Sequence, residues 1–189
     1  MKPARSRDLK LFEHDNQEKI LGEIPRTRVG LIFILANAAF VSILILVLLY
    51  MVVRNESNLK QVLNLQASYD LSGLLAGLFM LVIVLVLFGS IIAGYVYMNS
   101  YIILTDQKMI LINTKGVFAR RVSQLSIGDI QDVSIDQNTA LSRMFNYGNI
   151  NIETAGEQAN FVFSYAAQPN DNAKFIVDAH EENLKLYGN

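Results

Sequence analysis

Residues 74–105 read LLAGLFMLVIVLVLFGSIIAGYVYMNSYIILT, and this stretch decides the fold. Residues 74–98 carry no charged side chain, and residues 29–53 form a second run of the same kind. As an α-helix each run is roughly 37 Å long, enough to cross a hydrocarbon core of about 30 Å. Backbone amides in lipid must bond within their own segment, so such runs are helical. The sequence therefore predicts two transmembrane helices, at residues 29–53 and 74–98.

The composition fits a membrane anchor joined to a small soluble domain. Of the 189 residues, 52% are hydrophobic and 17% are charged, and the hydrophobic excess is concentrated in the two runs. The alternative is a pair of buried core helices, but the rest of the chain is too small to bury two helices that are apolar on all sides. The formal net charge of −1 argues against a nucleic-acid partner. The chain has no cysteine, which excludes disulfides and thiolate metal sites.

The basic residues predict the orientation of the chain in the membrane. Residues 1–28 carry seven Lys and Arg side chains, whereas residues 54–73 carry two. The positive-inside rule then places both termini in the cytoplasm and the 54–73 loop outside the cell. We therefore expect a multi-pass protein of the plasma membrane with a basic cytoplasmic arm at 1–28, poorly ordered over its first 20 residues, and a cytoplasmic domain at 99–189.

Small residues predict how the two helices pack. Small side chains four residues apart allow helix backbones to approach closely in lipid. We expect an antiparallel hairpin in which Asn37 packs against residues 89–94 and hydrogen-bonds to Ser90; in the alternative, the same patches build a homo-oligomer. The predicted packing residues are Asn37, Gly89, Ser90, Ala93 and Gly94.

The sequence pattern changes at Asn99, where the C-terminal domain begins. Short apolar or alternating runs, separated by turn-like stretches, predict six or seven strands. An amphipathic segment at about 173–187, preceded by Pro-Asn-Asp, predicts a terminal helix. This order is typical of a small barrel or orthogonal sandwich that the last helix closes.

Four short motifs follow one another in this domain. They are ILTD at 103–106, IQDV at 130–133, LSRMF at 141–145 leading to Gly148, and IETAG at 152–156. With two spans ahead of them, these motifs resemble the bacterial pleckstrin-homology-like (PH-like) family in its two-transmembrane-helix form. The resemblance implies a mainly-β domain with two near-orthogonal sheets, about seven strands and a C-terminal capping helix. The residues of the family motif are Thr105, Asp106, Gln131, Asp132, Arg143, Gly148, Thr154 and Gly156.

Basic residues near the expected membrane surface are candidates for contact with anionic lipid headgroups. They are Arg26, Arg28, Lys115, Arg120 and Arg121. The alternative is that these are ordinary solvated charges, and Arg120 and Arg121 face opposite sides of a predicted strand. Asp129, Asp132 and Asp136 alternate along another strand, which favours a solvated acidic face over a metal site.

The chain shows no nucleophile-elbow motif and no phosphate-binding loop, so we predict no catalytic, cofactor-binding or metal-binding residues. We expect a noncatalytic, membrane-tethered binding or scaffold protein that presents its PH-like domain at the cytoplasmic face. The alternative is an accessory subunit of a membrane complex for transport, secretion or envelope maintenance, recognised through its helices. The expected partners are the lipid bilayer, anionic headgroups, and a membrane or cytoplasmic protein.

Overall fold

The computed structural model describes residues 18–62, 71–154 and 160–187. Within these ranges the strands are β1 (Ile20–Pro25), β2 (Tyr101–Thr105), β3 (Lys108–Thr114), β4 (Arg120–Ser126), β5 (Ile130–Asp136), β6 (Tyr147–Thr154) and β7 (Phe161–Ala167). The helices are α1 (Val29–Arg54), α2 (Glu56–Val62), α3 (Leu71–Met98), α4 (Ala140–Met144) and α5 (Pro169–Tyr187). The chain divides into two units: one holds the residues up to Leu31 together with those from Tyr95 onward, and the other is Ile32–Gly94.

The first sheet is antiparallel, in the order β1-β2-β3-β4. Its second strand, β2, is buried along its whole length, which explains why its sequence is a continuous apolar run. Its first strand comes from the segment that the sequence assigned to a separate arm at residues 1–28. That assignment is wrong for Ile20–Pro25, which pair with β2 from Ile20 opposite Thr105 to Pro25 opposite Tyr101. The PH-like domain therefore begins before the apolar helices rather than at Asn99.

The second sheet is antiparallel in the order β5-β6-β7, and α5 follows it. Helix α5 begins at Pro169, earlier than the predicted 173, because proline is well suited to the first position of a helix. The structure confirms the predicted PH-like architecture: two antiparallel sheets, of four and three strands in the described part of the chain, and a C-terminal helix.

The core of this unit joins both sheets to α5. Ile24 of β1, Ile150 of β6 and Ile176 of α5 are each fully buried in one apolar cluster. His180 Nδ1 lies 2.7 Å from the carbonyl oxygen of Ile127, so α5 is also held by polar contacts at the end of the first sheet. Since Ile24 belongs to the same core as the terminal helix, β1 is an integral part of the domain.

Helices α1 and α3 are long and apolar enough to cross a membrane, judged by length and composition. They contain 26 and 28 residues, close to the predicted 29–53 and 74–98. Most of their large apolar side chains are exposed, unlike those of a core helix in a soluble domain. Part of the predicted 54–73 loop is helical, as α2 and the first turn of α3, and residues 63–70 of that loop lie outside the described residues.

The structure does not show Asn37 packed against residues 89–94, as the sequence predicts. Asn37 is exposed, and a Cβ added at Gly89 would meet nothing within 4 Å. The Ser90 hydroxyl donates to the Leu87 carbonyl of its own helix, at 2.7 Å, rather than to Asn37. The buried positions of the described part of 32–94 are Ala38 and Gly94. Of the predicted packing residues on α3, Gly94 is buried and Ala93 is exposed. Consecutive residues of a helix point about 100° apart, so neighbouring positions lie on different faces.

Candidate functional site at the junction of β1 and β2

The chain leaves and re-enters the domain at the same end of two neighbouring strands of the first sheet. Pro25, the last residue of β1, pairs with Tyr101, the first residue of β2. Residues 26–28 connect β1 to α1, and residues 99–100 connect α3 to β2. Both connections to the apolar helices therefore start from neighbouring positions on two hydrogen-bonded strands. This junction is the candidate functional site, because it determines where the domain is held.

Tyr97 fastens the two connections to each other. Its hydroxyl donates to the Thr27 carbonyl at 2.8 Å, and its side chain is almost fully buried. The backbone of Gly30, in the first turn of α1, packs closely against the same phenol. A Cβ added at Gly30 would overlap the Tyr97 ring, so this close approach requires glycine.

An aromatic cluster extends the junction to the second sheet. The ring centroid of Tyr165 lies 6.1 Å from that of Tyr97 in an edge-to-face arrangement, and Tyr147 stacks on Tyr165 at 5.5 Å. Tyr165 has a φ of 57°, a left-handed conformation, and its carbonyl accepts the Thr27 N–H at 2.7 Å. The segment after β1 is thus hydrogen-bonded to β7 as well as packed on Tyr97.

Arg26 lies inside this cluster. Its guanidinium carbon is 5.2 Å from the ring centroid of Tyr97 and 5.6 Å from that of Phe163, within cation–π distance of both. Its Nε is buried without a hydrogen-bond partner among the described residues. Burial lowers the pKa of Arg26, and the neighbouring Tyr97 partly opposes this change. Arginine nevertheless stays protonated at neutral pH, so a positive charge is enclosed by aromatic rings at the junction.

The candidate lipid-contact residues fall into two groups. Arg26 is partly buried against tyrosine and phenylalanine rings, whereas Arg28, two residues later, is exposed. Lys115 in the turn between β3 and β4, and Arg120 and Arg121 at the start of β4, are all exposed. The structure therefore gives Arg26 a place in the packing of the junction, and leaves the other four side chains at the surface.

The β3–β4 turn is a tight turn with an apolar tip. The Ala119 carbonyl accepts from the Lys115 N–H at 2.8 Å and from the Gly116 N–H at 3.2 Å, which closes the turn. Val117 is 48% exposed and Phe118 is fully exposed, at 101%. The sequence pattern predicts a strand over residues 117–122, so it identifies the basic residues here but not the exposed apolar pair, which precedes β4 in the structure.

A cleft of about 430 Å³ lies between this turn and the end of α3. Its lining residues include Tyr95, Asn99, Tyr101, Ile112, Thr114 and Phe118. The Thr114 hydroxyl donates to the Asn99 carbonyl at 2.7 Å, and the Thr114 N–H donates to the Ser100 hydroxyl at 3.1 Å. The base of the turn is therefore bonded directly to the two residues that connect α3 to β2.

Two residues of the family motif stabilise the other end of the first sheet, at the β2–β3 turn. The Thr105 hydroxyl donates to the Lys108 carbonyl at 2.9 Å and accepts the Lys108 N–H at 2.8 Å, which closes the β2–β3 turn. Asp106 Oδ1 accepts the Lys19 N–H at 3.0 Å, just before β1. The Asp106 carbonyl accepts from Asn183 of α5 at 2.7 Å. These residues hold the β2–β3 turn against the start of β1 and against α5.

The remaining motif residues lie around the second sheet. Arg143 Nε donates to the Gln137 carbonyl at 3.4 Å. A Cβ at Gly148 would come within 2.8 Å of the Asp136 carbonyl oxygen, so glycine is needed there. The other motif residues are Gln131 and Asp132, exposed on β5, Thr154 at the end of β6, and Gly156, which lies outside the described residues.

The three aspartates near β5 do not form a shared site. Asp129, Asp132 and Asp136 are exposed, and Asp136 Oδ2 accepts from the side-chain amide of Asn151 at 2.7 Å. In the part of the chain that the structure describes, no group of three or more histidine or carboxylate side chains could hold a metal ion.

The family model of the bacterial PH domain matches residues 21–176, from within β1, across both apolar helices, to α5. The chain belongs to the bacterial PH domain family. This confirms the family resemblance of the sequence motifs, and it agrees with the structure that β1 is part of the domain. Comparisons with curated proteins and with solved structures gave no match. In this bacterial PH domain, α1, α2 and α3 are an insertion between the paired strands β1 and β2.

Proposed function

We propose that this protein is a noncatalytic binding or scaffold module that α1 and α3 anchor in the plasma membrane, with its bacterial PH domain and both termini in the cytoplasm. The observation that carries the proposal is the pairing of Pro25 with Tyr101. It attaches the domain to two apolar helices at adjacent points of one sheet. PH-like folds serve as binding modules for lipids, peptides and proteins, so the anchor defines where binding takes place.

The two connections are too short to let the domain move far from the helix ends. Residues 26–28 and 99–100 separate the strands from the helices, and an extended chain spans at most about 3.6 Å per residue. The connections therefore restrict the domain to roughly 10 Å from each helix end, and Tyr97 and Thr27 bond the two connections together. Such restriction raises the effective concentration of the domain for partners at the membrane surface.

The basic residues support the proposed orientation. Arg26 and Arg28 lie just before α1, and Lys115, Arg120 and Arg121 follow α3 on the same unit. Cytoplasmic segments that flank spans are enriched in such side chains. The short segment between the helices has fewer of them, which supports its location outside the cytoplasm.

A second candidate function is that of an accessory subunit recognised through its helices. The observation in its favour is that Asn37 is exposed on α1 and that the surface of Gly89 on α3 is open. Exposed polar and small residues on apolar helices are the usual means of helix association in lipid. A partner helix, or a second copy of the chain, fits these positions.

Site-specific photocrosslinking of the full chain in its membrane tests the proposal and separates it from the alternative. A crosslinking residue at Asp132 or Glu153, both exposed on the second sheet, reports on the domain; one at Asn37 or Gly89 reports on the helices. We expect discrete protein crosslinks from the domain positions and resistance of the chain to carbonate extraction. Crosslinks from helix positions alone favour the accessory subunit, and release by carbonate contradicts the membrane anchor.

A further inference from the structure

We propose that the β3–β4 turn is a membrane-contact site: Val117 and Phe118 insert into the interfacial region of the bilayer that carries α1 and α3, while Lys115, Arg120 and Arg121 contact the phosphates of anionic lipids. This inference rests on the membrane anchor proposed above. It adds a third point of attachment to the two chain connections and fixes the orientation of the domain on the membrane surface.

The topology of the first sheet places the β3–β4 turn at the same end of the sheet as the connections to α1 and α3. A single row of paired residues crosses all four strands: Pro25 pairs with Tyr101, Tyr101 with Ile112, and Ile112 with Val122. The β3–β4 turn begins only a few residues beyond this row. Neighbouring strands are about 4.8 Å apart, so the turn is offset sideways by about 12 Å from β1 and about 7 Å from β2, at the same end of the sheet as the two connections.

The turn is also mechanically coupled to the end of α3. Thr114, the last residue of β3, is hydrogen-bonded to the Asn99 carbonyl at 2.7 Å and to the Ser100 hydroxyl at 3.1 Å. Tyr95, which is half-exposed near the end of α3, lines the same cleft as Phe118. Tyrosine side chains favour the membrane–water interface, so the cleft that Tyr95 lines is expected to lie at the level of the lipid headgroups. The turn therefore has a fixed position relative to an interfacial residue.

The tip has the chemistry of an interfacial anchor. Phe118 is fully exposed at the apex of a closed turn, with Val117 beside it. A turn that exposes an aromatic and an aliphatic residue together gains from burial in an apolar environment. A protruding tip needs no groove of matching shape when the partner is a lipid bilayer, whereas a protein partner must supply one.

The charge around the tip complements an anionic membrane. From Gln107 to Gly128 the sequence contains no aspartate or glutamate, and its basic residues include Lys115, Arg120 and Arg121. These three side chains are exposed on both sides of the apolar pair. Clustered lysine and arginine next to a membrane surface are attracted to anionic lipids, and this attraction is weakened by salt.

Fluorescence quenching in nanodiscs tests the inference on the full chain. Because the chain has no cysteine, a single cysteine carries an environment-sensitive probe without further substitution. Ala119→Cys places the probe beside the tip while retaining Val117 and Phe118, and Ser126→Cys places it at the exposed far end of β4 as the matched control. The nanodiscs contain anionic lipid and a phospholipid with a nitroxide at a shallow acyl position.

We expect lipid-borne quenching and a blue shift for the probe at 119 and neither for the probe at 126. Phe118→Ser, or the combined change of Lys115, Arg120 and Arg121 to Gln, should abolish the quenching. As a control, Phe145→Ser, at a half-exposed residue after α4, should preserve it. Equal quenching of the two probes overturns the inference. A probe at 119 that is shielded from aqueous iodide but not quenched by the lipid nitroxide also overturns it, because a protein surface then covers the turn.

The same preparation separates failure of this inference from failure of the proposed function. A chain that does not incorporate into nanodiscs contradicts the membrane anchor itself. A chain that incorporates and shows no quenching at 119 retains the anchor and loses the membrane-contact site.

Discussion

The hydroxyl group of Tyr97 donates a 2.8 Å hydrogen bond to the backbone carbonyl of Thr27, seventy residues earlier in the chain. This bond joins the last turn of α3 to the segment that leads into α1. Both residues are buried, so the bond is shielded from competing water. Together with the pairing of Pro25 and Tyr101, it makes the insertion point of the apolar helices a closed, hydrogen-bonded junction rather than two independent linkers.

Tyr97→Phe should destabilise the domain, because it removes the donor and leaves the buried Thr27 carbonyl without this partner. The expected loss in the free energy of unfolding is about 1–3 kcal/mol. Tyr95→Phe is the matched control: Tyr95 is exposed, and its replacement should change stability by less than about 0.5 kcal/mol. Thermal unfolding in detergent, followed by the circular dichroism of the sheets, measures both. Equal midpoints for the two variants would contradict the role of the bond.

Gly30→Ala should also destabilise the junction, because the new Cβ overlaps the buried Tyr97 ring. The cost of such overpacking is typically about 1–3 kcal/mol. Gly89→Ala makes the same chemical change where nothing lies within 4 Å, and alanine favours a helix over glycine by up to about 1 kcal/mol. The two substitutions are thus predicted to have opposite signs in the same unfolding assay. A neutral or stabilising Gly30→Ala variant would show that Tyr97 does not occupy this position.

Arg26→Gln should lower stability by about 1–2 kcal/mol, since the guanidinium lies over the rings of both Tyr97 and Phe163. Arg28→Gln, at an exposed side chain, is expected to stay within about 0.5 kcal/mol of the unsubstituted protein. Denaturant titration of both variants in the same detergent makes the comparison. If Arg28→Gln proves the more damaging change, the ring contacts of Arg26 do not contribute as described.

The sequence predicts the long elements well and the junction poorly, for physical reasons. Two charge-free runs leave no alternative to apolar helices, and the apolar stretch of β2 is typical of a buried strand. The first strand has the sequence ILGEIP, in which glycine, glutamate and proline are all poor strand formers. Its pairing with β2 depends on a partner that is more than seventy residues away, so no local pattern reveals it.

The candidate site is also hard to predict, because it depends on contacts between residues that are distant in the sequence. Basic residues near an apolar run are visible in the sequence, but whether a given side chain is enclosed, like Arg26, or exposed, like Arg28, depends on tertiary packing. The sequence does not reveal the exposure of Phe118 either, because an aromatic residue in a predicted strand is more often buried. On α1 the predicted packing residue Asn37 and the buried Ala38 are adjacent, and periodicity alone does not resolve a difference of one residue.

The position of β1 leads to a prediction about which fragment folds. Residues 97–189 alone lack β1, which leaves the edge of β2 unpaired and removes Ile24 from the core. Residues 18–27 joined to 97–189 by a short Gly-Ser linker restore the strand, because Pro25 and Tyr101 are paired neighbours. Two-dimensional NMR should show dispersed amide resonances for the joined fragment and collapsed ones for 97–189. Equal dispersion would mean that β1 is dispensable.

The most direct test of the central claim, a domain held at the cytoplasmic face by two spans, is the labelling of single cysteines from each side of the membrane. Ser57→Cys lies in α2 between the apolar helices, and Ser126→Cys lies at the end of β4; both positions are exposed. A membrane-impermeant maleimide added to sealed right-side-out vesicles is predicted to label position 57 at once, and position 126 only after the vesicles are opened. Labelling of both positions from the same side would contradict the account.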